Sequence, residues 1–416
     1  MIKLSKSEKN DYNKFNKLKK YTGDYFYDFG YNSFGKFLFG YSNWIAKKIY
    51  EFDIDKVFFL SRDGYIMKKA FDLFNYDGID THYLEVSRRS LRIPVLYKNN
   101  SFNDVINCLP NAKLISIDVF FETIGLKKNK YRSLFEKYGL LYDMSFDSKE
   151  IKNNSSLKKF YEEVLINDVI KNSKEEYENL VKYLKQEKVF GKFAIVDIGW
   201  SGSMQRYLCS TLDELNIENS IYGFYIGVAD YYINNYKINN SLKMYGYLFD
   251  FKNSNDPIDY RKPFVGLFET LFLEQDGSVE KYISINNKII SKRMNYEYKI
   301  DNKYTKDFLN VKNIQKGALD FIKGNYLTLN TADISPFVLF YDIYSLGINP
   351  SMRDVRRFGE FQFEDNGKIS YLAKRNKNVK FKEDFLSSRW KIGFLKRNFL
   401  LKLDYAKIFD LLYHFK

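Results

Sequence analysis

Histidine, cysteine and long apolar runs are scarce in this 416-residue chain, and each scarcity excludes a class of protein. The only histidines, His82 and His414, leave little for a histidine metal site or a Ser-His-Asp triad, so any metal should be a hard cation bound by oxygen. The two cysteines, Cys108 and Cys209, form no CxxC motif and predict a reducing compartment rather than a disulfide framework. No apolar run approaches the ~18 residues of a membrane span, and the charged opening MIKLSKSEKNDYNKF is not a secretory signal. We therefore expect a cytoplasmic protein.

The composition allows a large core and leaves two interpretations of the charge. With 45% hydrophobic and 19% aromatic residues, the chain can fill two or three domains of roughly 100–200 residues each. The formal net charge of +14 favours an anionic partner, but a chain rich in Lys, Asn, Ile, Tyr and Phe is also what an AT-biased genome produces. No nucleic-acid-reading motif accompanies the charge, so nucleic acid is the weaker partner hypothesis.

Apolar spacing predicts strands that alternate with helices, the pattern of a parallel sheet with helices on both faces. The predicted elements are a helix over 34–49, a strand over 57–60, a helix over 65–74, strands over 81–86, 193–196 and 221–228, and a helix after the third strand. Residues 1–30 read as an irregular lead-in. The predicted segments are a lead-in at 1–33, a first core part at 34–100, a helical insertion or cap at 101–188, a second core part at 189–300 and a C-terminal region at 301–416.

Polar clusters follow three of these strands, where parallel strands would bring them to one edge of the sheet. They are Ser61-Arg62-Asp63-Gly64, Ser87-Arg88-Arg89-Ser90 and Asp197-Ile198-Gly199-Trp200-Ser201-Gly202. A single polar strand end is usually only a turn, but three in series favour a site.

Phosphate handling is the chemistry that suits these clusters. Gly199 and Gly202 would let backbone N–H groups approach an anion, and Ser201 or Ser203 would cap the following helix. Bidentate phosphate contacts are expected from the arginines, Arg62, Arg88 and Arg89. Asp63 and Asp197 would hold Mg²⁺, or one of them would act as a general acid or base. The competing interpretation is a solvated rim of arginines and a turn or cap role for Asp197.

At these residues the chain resembles the haloacid dehalogenase (HAD) superfamily, whose Rossmann-like sheet ends its first strand in an Asp-x-Asp-Gly-type motif. VFFLSRDG matches that motif with Asp63 at the second aspartate, YLEVS matches the second motif with Ser87, and AIVDIG matches the fourth with Asp197. FFLSRDGYIMKKAFD, VSRRSLRIP, VDIGWSGSMQ and NPSMRDVRRFGEFQFED together resemble HAD-like proteins of bacterial capsule and O-antigen gene clusters, over about residues 35 to 365. The resemblance implies an α/β fold, namely a HAD-like Rossmannoid parallel sheet with a helical cap insertion and a mixed α+β C-terminal region.

Three departures from the HAD pattern bear on the reaction. Ser61 stands where a HAD phosphatase has its nucleophilic aspartate, so the aspartyl-phosphate mechanism is not available as usually written. The third-motif lysine has three competing candidates, Lys171, Lys174 and Lys192, and the fourth motif has only one aspartate. The resemblance therefore implies a loop that kept its anion-binding geometry and lost the phosphatase nucleophile, which disfavours a conventional sugar-phosphate phosphatase.

Two further segments carry open alternatives. Glu269, Glu274 and Asp276 would add a carboxylate to the same edge, although a surface turn at Asp276-Gly277 is favoured. The end of the chain is a basic amphipathic segment that would lie on an anionic membrane surface, although a packed terminal helix is favoured. Its alternating residues are Trp390, Phe394, Phe399, Leu400 and Leu403 with Lys391, Lys396, Arg397 and Lys402.

The leading hypothesis is an enzyme of bacterial surface-polysaccharide biosynthesis, working by phosphoryl or glycosyl transfer. Its substrate would be a phosphorylated sugar, a nucleotide-activated sugar or a lipid-linked glycan, with Mg²⁺ as the expected cofactor. A non-catalytic HAD-like scaffold or regulator of a glycosyltransferase is the alternative. We expect contact with a glycosyltransferase partner and a peripheral contact with the inner membrane face under the first two hypotheses. A nucleic-acid-binding protein is the third hypothesis and rests on charge alone.

Overall fold

A five-stranded parallel sheet forms the centre of the computed structural model, which describes residues 2–110, 112–331, 333–365, 368–376, 378, 380–399 and 403–414. The strands are β1 (Lys56–Leu60), β2 (Asp80–Leu84), β3 (Gly191–Trp200), β4 (Asn219–Val228) and β5 (Lys243–Asp250). Their order across the sheet is β2-β1-β3-β4-β5, and all four pairings are parallel. The chain thus places β2 on one side of β1 and β3 on the other, so the winding direction reverses between β1 and β3. This is a doubly wound, Rossmann-like arrangement.

Alternating side chains of the strands supply two hydrophobic cores, one on each face of the sheet. Val57 and Phe59 of β1 point into one core, and Phe58 and Leu60 point into the other. The first core is covered by α1 (Gly35–Glu51), α2 (Gly64–Asp72), α6 (Lys306–Asn325) and α7 (Pro336–Ile348). The second is covered by α3 (Arg88–Val95), α4 (Ile166–Gln186) and α5 (Ser203–Glu214). The predicted α/β class is therefore confirmed, while its HAD-specific features stay a prediction.

The remaining elements surround this centre. The other α-helices are Lys6–Asn16, Tyr25–Phe29, Phe102–Ile106, Ile117–Thr123, Ser155–Phe160, Ile233–Tyr236, Val265–Thr270, Met352–Phe358, Phe381–Ser387, Lys391–Phe399 and Tyr405–His414. Short 3-10 helices cover Lys128–Leu134, Glu136–Tyr138, Ile151–Asn153 and Asp230–Tyr232, and π-helical turns cover Gly30–Phe34 and Tyr161–Leu165. Antiparallel strand pairs join Leu114–Ser116 to Ser145–Asp147, Val279–Ile285 to Lys288–Arg293, Lys299–Ile300 to Lys303–Tyr304, and Gln362–Asp365 to Lys368–Tyr371.

The four predicted strands and the helices between them are present, but two sequence expectations fail. The lead-in is not irregular, because Ser5 and Glu8 form a capping box that starts the helix Lys6–Asn16. The strand β5 was not predicted at all. Its pairing with β4 is interrupted by a register shift beside Gly227, and such an irregularity obscures the alternation by which a strand is found in a sequence. The boundaries of the five predicted segments remain predictions.

In the part of the chain that the structure describes, every helix is too short or too polar to cross a membrane.

Candidate functional site

The site lies at the reversal between β1 and β3, on the edge formed by the carboxyl ends of the strands (the carboxyl edge). Val196 pairs with Phe59, so Asp197 comes level with the last residue of β1, and Asp63 follows three residues beyond that end. Ligands of doubly wound sheets bind in the crevice at such a reversal. The predicted meeting of Asp63 and Asp197 at one edge is therefore consistent with the strand register.

Asp63, Asp197 and Glu269 form a cluster of mutually repelling carboxylates, called here the carboxylate cluster. Burial raises the pKa of Asp63 well above its ordinary value, and the charges of Asp197 and Glu269 raise it further. Arg62 and Arg88 act in the opposite direction without cancelling the rise. A carboxyl group whose pKa is raised by burial and by a neighbouring carboxyl group is suited to general acid–base chemistry.

Asp197 is buried, with 6% of its surface exposed. Burial raises its pKa to about 6, although backbone N–H groups of Gly199 and Ile198 lower it. The Gly199 N–H donates to Asp197 Oδ2 over 3.3 Å, a long hydrogen bond. Asp197 is therefore poised to exchange a proton near neutral pH.

Glu269 acts on Asp63 from the helix Val265–Thr270. This agrees with the alternative in which its segment adds a carboxylate to the carboxyl edge. Glu269 Oε1 accepts a hydrogen bond of 2.8 Å from Trp200 Nε1, which orients the side chain. The other two acidic residues of that segment do something else. Glu274 is buried and pairs with Arg293 at 2.7 Å, and Asp276 is exposed at a bend, in agreement with the predicted surface turn.

Of the three predicted arginines, Arg88 is the one that is not held in an ion pair within the described residues. It is exposed at the start of α3, and its charge lowers the pKa of both Asp63 and Asp197. Among the described residues it makes no hydrogen bond or ion pair. A guanidinium facing two carboxylates without a fixed partner can bind a phosphate between them.

Ser61 is not placed as a nucleophile. Its hydroxyl donates to the Val86 carbonyl over 2.7 Å and accepts from the Val86 N–H over 3.1 Å. The side chain is buried and ties the end of β1 to the segment that follows β2. The prediction of a catalytic Ser61 is therefore not supported, because both hydrogen-bonding capacities of the hydroxyl already serve the backbone.

Two of the three predicted phosphate-binding arginines are held in ion pairs. Arg62 Nη1 lies 3.1 Å from Glu297 Oε1 and also donates to Ser278 Oγ. Arg89 binds Glu176 through both terminal nitrogens, at 2.9 and 3.0 Å. The Arg89–Glu176 pair is bidentate, whereas Arg62 meets Glu297 through one nitrogen. Breaking either pair to bind a ligand would leave a carboxylate unpaired, so these arginines position the loops instead.

Ser87 is likewise used by the fold. Its hydroxyl accepts from the Ser90 N–H over 3.0 Å at the start of α3 and donates to the Val279 carbonyl over 2.7 Å. Ser87 therefore anchors α3 and the adjacent hairpin 279–293.

Steric crowding explains the three glycines of these clusters, of which Gly199 lies within β3 and the other two follow β1 and β3. Gly64 leaves room where a Cβ would lie 2.9 Å from the Phe59 carbonyl carbon, and a Cβ on Gly199, at a φ of +101°, would lie 2.5 Å from Tyr225 Cβ. Gly202 has a φ of +75° and is itself the N-cap of α5, with no side-chain cap. The predicted capping of this helix by Ser201 or Ser203 is therefore wrong, because the left-handed turn at Gly202 makes Ser203 the first helical residue. No bound anion is needed to explain these glycines.

Trp200 is buried next to the carboxylate cluster, where it packs against an aromatic ring and an arginine. Its ring stacks on Phe249 at 5.8 Å, and the Arg261 guanidinium lies 3.6 Å from its centre. Arg389, from the C-terminal region, faces Glu269, whose charge opposes the fall in its pKa caused by burial. Neither Arg261 nor Arg389 was found from the sequence, because each lies far along the chain without a recognisable motif.

None of the three candidates for the third-motif lysine is placed at the carboxylate cluster. Lys192 is exposed near the start of β3, at the opposite edge of the sheet, and pairs with Asp53 at 3.7 Å. Lys171 and Lys174 are exposed on α4, and neither is among the charges that chiefly shift the pKa of Asp63 or Asp197.

The expected Mg²⁺ site stays a prediction, and the carboxylate cluster is the place where the chain offers oxygen ligands for it. Three or more Asp, Glu, His or Cys side chains are nowhere arranged as ligands in the described ranges. Mg²⁺ is nevertheless often held by one or two carboxylates together with substrate phosphates and waters. Burial, and then the charges of Asp197 and Glu269, raise the pKa of Asp63, and a divalent cation bound there would favour the ionised carboxylate.

The start of the C-terminal segment is packed, as the favoured alternative expected, and the membrane alternative stays a prediction. Trp390 and Phe394 are fully buried, and Trp390 Nε1 donates to the Gly347 carbonyl over 2.8 Å. Phe399 and Leu403 are about half exposed, at 48% and 51%. Leu400 and Lys402 lie outside the described residues.

Comparison with known proteins adds no identification: no family model matches the chain, and no curated protein matches it either.

Proposed function

We propose that the chain is an enzyme of surface-polysaccharide biosynthesis that transfers a glycosyl or phosphoryl group from a phosphate-bearing donor. The donor would be a phosphorylated sugar, a nucleotide-activated sugar or a lipid-linked glycan. One observation carries the proposal: Asp63 and Asp197 lie at the strand reversal, both with raised pKa values. Keeping two carboxyl groups in this state lowers stability, and such a loss is typical of functional sites.

The proposed reaction uses one carboxyl group as a general base. The ionised carboxylate takes the proton of an acceptor hydroxyl while that oxygen bonds to the donor carbon or phosphorus. When the acceptor attacks carbon, the phosphate-bearing group leaves with the electron pair of the broken C–O bond. When it attacks phosphorus, the phosphoryl group is transferred and the remainder of the donor leaves with the electron pair of the broken P–O bond. In both cases Arg88 balances the charge of the phosphate oxygens. Mg²⁺, when bound by Asp63 and Asp197, would supply further charge neutralisation on the phosphate oxygens.

Direct transfer fits better than a covalent enzyme intermediate. The Ser61 hydroxyl is hydrogen-bonded to both backbone groups of Val86, so no nucleophile stands at the place where the HAD resemblance expects an aspartate. A conventional sugar-phosphate phosphatase remains disfavoured for the same reason. We keep the HAD-like assignment, the cytoplasmic location and the glycosyltransferase partner within this proposal.

Ligand-induced stabilisation tests the proposal first. The full chain would be melted with nucleoside diphosphates, nucleotide sugars and sugar phosphates, with and without Mg²⁺; a ligand at about 100 times its Kd adds roughly 2.7 kcal/mol. We expect one class to stabilise the wild type and to lose that effect in Asp63→Asn. The matched control is Asp55→Asn, because Asp55 is an exposed aspartate beside the opposite end of β1.

Turnover of the stabilising ligand then completes the test. Loss of product in both Asp63→Asn and Asp197→Asn, with Asp55→Asn active, is the expected result. Stabilisation by no phosphate-bearing ligand, or unchanged turnover in both site variants, would refute the enzyme proposal and favour the scaffold.

A further inference from the structure

Two arginines lie on successive turns of α3, beside the carboxylate cluster. Arg88 and Arg92 are four residues apart on this helix, a spacing that puts two side chains on one helix face with their Cβ atoms about 5–6 Å apart. Their charges repel each other, because Arg88 lowers the pKa of Arg92. We call Arg88 and Arg92 the arginine pair.

Hydrogen bonds between two strand ends place the arginine pair next to Asp63. The Ser61 hydroxyl donates to the Val86 carbonyl over 2.7 Å and accepts from the Val86 N–H over 3.1 Å. Asp63 is the second residue after Ser61, and Arg88 is the second residue after Val86. In agreement with this placement, the charge of Arg88 lowers the pKa of both Asp63 and Asp197. A phosphate bound by Arg88 would therefore lie at the proposed site.

Arg92 is partly buried and has an N–H donor that no described residue uses. Its Nη2 donates to the backbone carbonyl of Glu122 over 3.2 Å. Its Nε is buried and has no hydrogen-bond partner among the described residues, and none of their carboxylates forms an ion pair with the side chain. The folded chain thus leaves Arg92 with one neutral acceptor.

Other enclosed arginines of this chain have more partners. Carboxylates pair with five that are at least partly buried, namely Arg62, Arg89, Arg261, Arg293 and Arg397. Arg206 is buried without a carboxylate, but it donates to Asn235 Oδ1 over 2.8 Å and to the Asn107 carbonyl over 3.1 Å. Arg92 differs from all of these in having an unused donor and lying one turn from a second unpaired arginine.

The charge of Arg92 is unfavourable in the absence of a ligand. Burial lowers the pKa of Arg92, and Arg88 lowers it further. Three nearby groups, Tyr207, Cys108 and Glu122, oppose this change without cancelling it. Burial raises the pKa of Tyr207 far above its ordinary value, so its hydroxyl is neutral at physiological pH, and the Glu122 side chain is exposed to solvent. An anion bound by the arginine pair would offset both the burial and the repulsion.

We propose that the arginine pair binds the phosphate of the donor, with Arg92 as a second phosphate-binding residue beside Arg88. This inference rests on the proposed function and places the donor's phosphate on the α3 side of Asp63 and Asp197. A guanidinium group binds phosphate oxygens through two N–H donors at once. Two such groups match the roughly two negative charges of a phosphate monoester or a diphosphate better than the single charge of a simple phosphodiester. Sugar phosphates and nucleotide sugars share this chemistry.

Melting of the full chain in increasing inorganic phosphate, at constant ionic strength, tests the inference. The dependence of the melting temperature on phosphate concentration gives the Kd. We expect Arg92→Met to weaken phosphate binding at least tenfold, since it loses a charge-assisted hydrogen bond. Without phosphate, Arg92→Met should melt at or above the temperature of the wild type, because a partly buried charge without a carboxylate partner has been removed.

Arg356→Met is the matched control. Arg356 is exposed on the helix Met352–Phe358, whose residues Val355 and Phe358 pack in the first core, on the opposite face of the sheet from α3. The variant loses the same charge and should bind phosphate within about twofold of the wild type. Arg92→Lys replaces Arg92→Met if the latter fails to fold: it keeps the charge but not the planar fork, so its phosphate binding should also fall.

Wild-type phosphate binding by Arg92→Met, or by Arg92→Lys in its place, would overturn the inference, and so would an equal loss in Arg356→Met. Glucose 1-phosphate and uridine diphosphate glucose distinguish the two sources: the one that binds more tightly than inorganic phosphate, with the gain lost in Arg92→Met, identifies the donor class. The enzyme proposal fails separately. Phosphate binding that depends on Arg92, without turnover of any donor, would reject the transfer reaction and keep the phosphate site, whereas turnover that is unchanged in Arg92→Met would do the reverse.

Discussion

Asp197→Asn should stabilise the protein at alkaline pH while it abolishes turnover. The carboxyl group ionises at its ordinary pKa of 3.8 in the unfolded chain but at about 6 in the folded one. Between these values the folded state binds more protons, so the free energy of unfolding falls as pH rises. A difference of about two units, at 1.36 kcal/mol each, gives about 3 kcal/mol of lost stability above pH 7. Asparagine carries no charge and avoids this loss.

Urea unfolding at pH 4 and pH 8 measures the effect. We expect Asp197→Asn to be close to the wild type at pH 4 and more stable by up to about 3 kcal/mol at pH 8, with Asp63 relieved in the same direction. Asp250→Asn is the control: Asp250 is a buried carboxylate that accepts N–H groups of Gly246, Lys252 and Asn253 at 2.8 to 3.0 Å. It should lose about 1–3 kcal/mol. A comparable loss in Asp197→Asn at pH 8 would show that Asp197 is a structural acceptor and refute the reasoning.

Further variants separate structural from functional polar residues. Arg293→Met should lower the free energy of unfolding by about 3–5 kcal/mol in urea, because it leaves Glu85 and buried Glu274 unpaired; a change below about 1 kcal/mol would contradict the ion-pair network. Arg88→Met should leave the melting temperature unchanged and reduce turnover at least tenfold; equal turnover would remove Arg88 from the site. Ser61→Ala should keep its turnover and lose about 1–3 kcal/mol, and an inactive, fully stable Ser61→Ala would restore the nucleophile hypothesis.

The centre of the fold was predictable because its signals are local. The apolar run of β1 is fully buried from Val57 to Leu60, and uninterrupted apolar strands of this kind belong to sheets covered on both faces. The helix Lys6–Asn16 was missed because its stability comes from the Ser5 cap and from Phe15 packing, and a largely polar sequence shows neither.

The candidate site was only partly predictable, and the difference lies in partners that are distant in sequence. The polar clusters at the ends of β1, β2 and β3 identified Asp63, Asp197 and Arg88 from local pattern alone. Only the structure shows that Arg89 pairs with Glu176, which lies 87 positions further along the chain. It also shows that Arg62 pairs with Glu297, which lies 235 positions further along. The contributions of Glu269 and Arg389 depend on the same kind of long-range contact, and no spacing rule reaches them.

The polar residues at the carboxyl edge thus fall into two groups, according to whether the folded protein supplies their hydrogen-bond or ion-pair partners. Ser61, Ser87 and Arg89 have their hydrogen-bonding capacity met by backbone or carboxylate, and substituting them removes contacts that the folded state needs. Burial in the folded state disfavours the charges of Asp63 and Asp197. Replacing either one by a neutral residue should therefore raise the free energy of unfolding. A stability gain that coincides with loss of turnover distinguishes a functional carboxylate from a structural one, and it does so before the substrate is known.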